Sequence, residues 1–121
     1  MTPPQPAPDL IYKIATRDIA DAARTTGTFP RMPIDHADGF VHFSTAAQLP
    51  ETLRLHFSGQ GELVLLAVRT ADIGSALRWE PSWGGDLFPH VYGTLPMASV
   101  VHVAEIAVDD AGACTLPEWV A

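Results

Sequence analysis

The side chains best able to move a proton or hold a ligand occur in three short blocks, far apart in the chain. His42 lies in Gly39-Phe40-Val41-His42-Phe43-Ser44-Thr45, Glu80 follows Trp79, and His90 and Tyr92 lie in Phe88-Pro89-His90-Val91-Tyr92-Gly93. A histidine inside an apolar run needs a hydrogen-bond partner or a function, because an unpaired buried polar ring costs free energy. A carboxylate at a strand end suits a general base or a grip on ribose hydroxyls, since an ionised carboxylate accepts two strong hydrogen bonds. His90 and Tyr92 fall on one face of a strand by period-two alternation. Trp79, Phe88 and Tyr92 offer rings on which a planar ligand could stack.

Each of these residues also has a plain structural account. His42 fits a satisfied core position as well as a site. Ser44 and Thr45 stand where a helix cap is needed, so capping competes with ligand contact. Glu80 fits a solvated strand end, and the aromatics fit a core. Arg78 and Arg31 are candidate phosphate partners, with surface salt bridging as the alternative. His36, His56 and His102 are scattered and read as surface or core residues. No Gly-x-Ser-x-Gly elbow, Cys-x-x-Cys, His-Glu-x-x-His or Gly-rich phosphate loop occurs. A metal site from His42, His90 and Glu80 is chemically allowed, but no close ligand pair supports it, and none is assigned.

The elements that must position these residues are legible in outline. Residues 10–15 read as a strand. Thr16 then stands as an N-cap, Asp18 and Asp21 suit the positive end of a helix, and Gly27 is placed for its C-cap. Ile19, Ala22, Ala23 and Thr26 fall at helical spacing. Thr28 to Asp38 reads as a loop leading into the His42 strand. Thr45 to Phe57 has a helical composition divided by Pro50, with Leu53, His56 and Phe57 inward and Leu49 as a staple. Residues 62–69 are apolar through the middle, as expected of a central strand covered on both faces. A short helical turn from Thr70, strands at 77–80 and 88–92, a loop from Ser82 to Leu87, a turn from Gly93 to Ser99 and a last strand at 100–108 complete the order. Trp119 is placed to dock the tail back. Strand, helix, strand, helix and then mostly strands is an α+β pattern.

Length and composition bound the rest. The chain of 121 residues is enough for one domain. We divide it into a proline-rich, disordered leader (1–9) and a single α+β domain (10–121). The 47% hydrophobic and 17% charged content fits a packed globule. The net charge is −7, Lys13 is the only lysine, and duplex nucleic acid is therefore a poor partner. A small phosphorylated ligand held by one or two arginines remains compatible. Cys114 is the single cysteine, so no intramolecular disulfide forms, which suits a cytoplasmic location. No apolar run reaches the roughly 20 residues of a membrane span, and no signal peptide is evident.

The blocks quoted above, with Ile11-Tyr12-Lys13-Ile14, resemble an uncharacterised family, domain of unknown function 952, over nearly the whole chain. That family is grouped with the ADP-ribosyltransferase-like superfamily. The resemblance implies a split pair of strongly curved β-sheets gripping NAD, with two main helices in the N-terminal half. It further implies that Lys13 or His42 takes the role of the superfamily's early Arg or His, Ser44 and Thr45 that of its hydroxyl motif, and Glu80 that of its glutamate. The Lys13 position is typically His in the family; lysine donates but cannot accept.

The resulting expectation is a cleft for a nucleotide-type ligand, NAD or ADP-ribose, a candidate site for ribosyl or phosphoryl transfer, with NAD as a candidate substrate and no cofactor assigned. Glu80 and His42 are the expected catalytic residues. Lys13, Ser44, Thr45, Trp79, His90 and Tyr92 are the expected ligand contacts. A non-catalytic binding or regulatory module and a metal-dependent hydrolase are the alternatives.

Overall fold

The structure, a computed structural model, describes residues 9–29, 39–81, 86–93 and 95–120. The leader up to Pro8, Arg31, His36 and most of the two loops expected at 28–38 and 82–87 lie outside the described residues.

The chain runs β1 (Leu10–Thr16), α1 (Arg17–Thr26), β2 (Thr28–Phe29), β3 (Val41–His42), α2 (Leu49–His56), β4 (Leu63–Arg69), β5 (Leu77–Pro81), β6 (Leu87–Val91), β7 (Leu95–Pro96) and β8 (Val100–Ile106). Short 3-10 turns at Thr70–Asp72, Gly74–Ala76 and Met97–Ser99 link the later strands. All strand pairing is antiparallel among the described residues: β1-β4-β8, β2-β7 and β3-β6-β5. Among the described residues, two helices beside antiparallel sheets make an α+β fold.

β4 is central, as its apolar run predicts; Leu63 to Val68 are all buried, and alternate residues serve different cores. Val64, Leu66 and Val68 join Ile11, Ala15, Ala20, Ala23, Val41, Phe43, Val91 and Leu95 in one cluster. Leu63, Leu65 and Ala67 join Tyr12, Ile14, Leu49 and Leu53 in the other, with Trp119 and Val120 of the tail against it. Trp119 stacks between Tyr12 (6.3 Å) and His102 (4.9 Å), so the tail does dock back.

α1 begins and ends where expected. Gly27 takes the left-handed conformation (φ 79°), and its N–H donates to the Ala23 carbonyl. Thr16, at the N-cap, makes no capping bond with its hydroxyl. Ala20 and Ala23 are buried, with Ile19 partly so, whereas Ala22 and Thr26 are exposed: the buried stripe is rotated from the expected one. In α2, Leu49 and Leu53 point inward, but His56 is exposed, which corrects its expected inward placement. Two-residue strands β2 and β7 pair Thr28 with Pro96 and Phe29 with Leu95, where only a loop and a turn were expected. Two residues are too few to show alternation, so sequence pattern carries no signal for them.

The segment Val41–Ser44 joins two sheets. Val41 pairs with Val91 and His42 with His90, and the Phe43 N–H donates to the Pro89 carbonyl at 3.0 Å. One residue later, Ser44 and Tyr12 exchange two N–H···O=C bonds of 2.8 Å, tying the same segment to β1. A single short segment therefore carries the β3-β6-β5 sheet against the β1-β4-β8 sheet.

Candidate functional site

Strand alternation sorts the β3-β6-β5 sheet into two faces. Val41, Phe43, Leu77, Trp79 and Val91 face the first apolar cluster. His42, Arg78, Glu80 and His90 point the other way, and register places His42 and Arg78 directly opposite His90 on its two neighbouring strands. Phe40 and Tyr92, just beyond the strand ends, complete this polar and aromatic face. The ring of Phe40 lies 4.0 Å from that of His90, 4.7 Å from His42 and 5.3 Å from Tyr92. His42 meets His90 edge-on at 5.6 Å, and the Arg78 guanidinium sits 5.1 Å over the Tyr92 ring.

Glu80 Oε1 organises the centre. It accepts from the Tyr92 hydroxyl at 2.7 Å and lies 3.0 Å from His90 Nδ1. The Tyr92 hydrogen bond, then that of His90, holds the Glu80 carboxyl below the ordinary range, opposing a small desolvation effect. An ionised carboxylate only accepts, so the His90 proton resides on Nδ1. Donation to Glu80 in turn raises the Tyr92 phenol, keeping it protonated.

With Nδ1 donating to Glu80, Nε2 is the ring nitrogen left for a ligand. The His90 side chain is 3% exposed, and Nε2 has no hydrogen-bond partner among the described residues. Glu80, at 35% exposure, reaches from this buried ring to the surface. A carboxylate fixing one ring nitrogen while the other is left bare is the arrangement of a general base or of a strong hydrogen-bond acceptor.

The structure thus gathers His42, Glu80, His90 and Tyr92, and adds Phe40 and Arg78. Phe40 was not singled out as a ligand contact from sequence, although its period-two relation to His42 was a usable signal. The remaining expected contacts lie elsewhere. Trp79 packs against the core on the opposite face. Lys13 is buried at 3% exposure; alternation puts it on the β1 face of Ile11 and Ala15, opposite the face that carries Tyr12 and Ile14. Ser44 is buried with its Oγ 3.4 Å from Thr52 Oγ1 of α2. Thr45 caps: its Oγ1 accepts from the Gln48 N–H (3.2 Å), while Gln48 Oε1 accepts from the Thr45 N–H (3.0 Å). This reciprocal pair is a capping box, readable as Thr-x-x-Gln. The Gln48 Nε2 also donates to the Leu87 carbonyl at 2.8 Å, fastening the start of α2 to β6.

No group of three His, Cys, Asp or Glu side chains arranged to hold a metal occurs among the described residues. An open hollow lined by Val108, Asp109 and Cys114 contains none of the clustered side chains. No described helix is long and apolar enough to cross a membrane.

A family model described as a protein of unknown function (DUF952) matches residues 14–103. The crystal structure of protein CC0527 from Caulobacter crescentus is similar to this chain at 43% identity, covering 88% of this chain and 93% of that one, with a TM-score of 0.81. The solution NMR structure of CC0527 gives 44% identity, coverage of 86% and 90%, and a TM-score of 0.76. No curated protein matches.

Proposed function

The chain belongs to the DUF952 family, and on that premise we propose that the outer face of β3-β6-β5 is the binding wall for a nucleotide-type ligand, NAD or ADP-ribose. The observation that carries this reading is His90: its Nδ1 is held by Glu80, and its buried Nε2 is unpartnered among the described residues. A ligand hydroxyl or an attacking water donates to Nε2. When that proton transfers, the imidazolium is stabilised by the carboxylate already in place on its other side. Proton transfer of this kind contributes about 10²–10⁴-fold to a rate. Arg78, exposed beside Tyr92, is a cation on this face available to a phosphate. The class of reaction is ribosyl or phosphoryl transfer.

An ADP-ribosyltransferase-like arrangement is part of the proposal. It is supported by the way Val41–Ser44 links two separate sheets, as a split-sheet fold requires. Within it the roles differ from the sequence expectation, in which Glu80 and His42 are the catalytic residues and His90 a ligand contact: His90 is the proton acceptor, and Glu80 orients it.

Calorimetric titration with NAD and with ADP-ribose tests the reading. Heat with either at millimolar ligand is expected, and its absence with both ends it. The Glu80→Gln variant then separates a catalyst from a binding module: a catalyst loses about 10²–10⁴-fold in rate, whereas a module keeps its affinity within a few-fold. Burial of Lys13 on the face of Ile11 and Ala15 favours the module, because the residue expected to fill the superfamily's first role then stands apart from His42 and His90.

A further inference from the structure

The Phe40 ring lies nearly parallel to the His90 imidazole, with planes 20° apart and centroids 4.0 Å apart. It is only partly buried, whereas the ring beneath it is almost wholly so. Phe40 stands outside β3, so no strand pairing fixes its backbone, and it follows Gly39, whose φ of 81° suits glycine. An aromatic side chain at a strand entrance, stacked over the face of a buried imidazole whose Nε2 is unpartnered among the described residues, is a poor permanent core residue. It is a good substitute for something else that is flat.

We propose that Phe40 is a removable cover that holds the place of a ligand's planar ring. A ligand reaches His90 only after Phe40 swings off, and a flat heteroaromatic ring then stacks where the phenyl ring lay. A hydroxyl or N–H carried beyond that ring meets Nε2 in the imidazole plane. His42 and Tyr92, which touch Phe40 in the covered state, form the walls of the uncovered slot. The inference rests on the reading of His90 Nε2 as the working nitrogen.

Chemical access tests it without NAD or ADP-ribose. Diethyl pyrocarbonate acylates bare imidazole nitrogens, and peptide mass spectrometry resolves His90 from the exposed His56. In the unmodified chain His90 is expected to react at least about tenfold more slowly than His56, the protection that a modest local opening cost confers. Phe40→Ala brings His90 within a few-fold of His56, and millimolar nicotinamide, used as the flat probe, slows His90 again in that variant while leaving His56 unchanged. If circular dichroism shows that Phe40→Ala has not folded, Phe40→Val, which removes the ring and most of its volume but keeps an apolar side chain, is read by the same criteria. The proposal is overturned if His90 in the parent chain reacts as fast as His56, if the variant leaves it protected, or if nicotinamide gives no protection. Because this readout needs no dinucleotide, a failed NAD titration and a failed uncovering are separate results.

Discussion

Replacing Gln48 by alanine tests how the site's central strand is held. The Gln48 side chain makes two contacts in different directions: Oε1 closes the capping box with the Thr45 N–H, and Nε2 reaches the carbonyl of Leu87, three residues before His90. Alanine leaves the Thr45 Oγ1 cap in place and removes only the return bond to the Thr45 N–H, a neutral hydrogen bond worth about 0.5–1.5 kcal/mol. The tether is a part-exposed neutral hydrogen bond, for which about 0.5–1 kcal/mol is reasonable. The variant should therefore lose about 1–2.5 kcal/mol in all, or roughly 4–10 °C in Tm for a domain of this length. Urea unfolding followed by circular dichroism measures the first quantity and a thermal scan the second. Gln48→Glu divides the two contacts: it keeps an acceptor for the Thr45 N–H and places an acid at the positive end of α2, but has no donor for Leu87. It should lose only about 1 kcal/mol. A Gln48→Ala chain within about 0.3 kcal/mol of the parent, inside the ordinary range of surface substitutions, refutes the reasoning. Equal losses for Ala and Glu would remove the capping box from the account and leave the tether alone.

Three further outcomes follow from the same structure. The Glu80 carboxyl is held below its ordinary value of 4.5, so the stability it contributes is complete above that value and is lost as pH falls through the lower folded one. A pH series on the Tyr92 ring resonances should show the Tyr92–Glu80 hydrogen bond intact from neutrality to about pH 5 and failing only in stronger acid; failure of that bond near pH 6 contradicts the assignment. Gly27→Ala should cost about 1 kcal/mol, because φ at Gly27 is 79° although its missing Cβ would meet no atom within 4 Å. Gly27→Asn should cost less, and equal urea midpoints for all three chains would argue against strain at the cap. Leu66→Ala, at a wholly buried position of the central strand, should lose about 2–5 kcal/mol. A smaller loss in urea unfolding would mean that the first cluster closes over the cavity.

What sequence could reveal depended on how many consecutive residues carried the signal. β4 and β8 are long apolar strands, and α1 has both an acidic first turn and a glycine stop; all three were readable. β2 and β7 are set by tertiary pairing of two residues each, below any periodicity. Within the site, alternation was enough to place His90 and Tyr92 on one side. The same rule applied to Trp79-Glu80 sends adjacent residues to opposite faces, so Trp79 and Glu80 could not both line one wall, although both were expected there. Lys13 shows another limit. Its neighbours Tyr12 and Ile14 belong to one cluster and Ile11 and Ala15 to the other, and a strand buried on both sides gives no clue as to which side holds a ligand. That the bare nitrogen belongs to His90 followed only from the reach of Glu80 across β5 and β6, a cross-strand distance that linear spacing does not encode.

The Tyr12–Ser44 exchange has a mechanical consequence. A long ladder between two sheets would lock their relative angle, since every rung must break before they turn. Here the stitch is an isolated bridge, so the tilt of the histidine-bearing wall is governed by the filling between the sheets, chiefly Ile11, Ala15, Val41 and Phe43. Altering the volume of those four side chains would re-aim the wall while leaving its hydrogen bonding untouched, which gives evolution a dial for ligand size that requires no new polar residue.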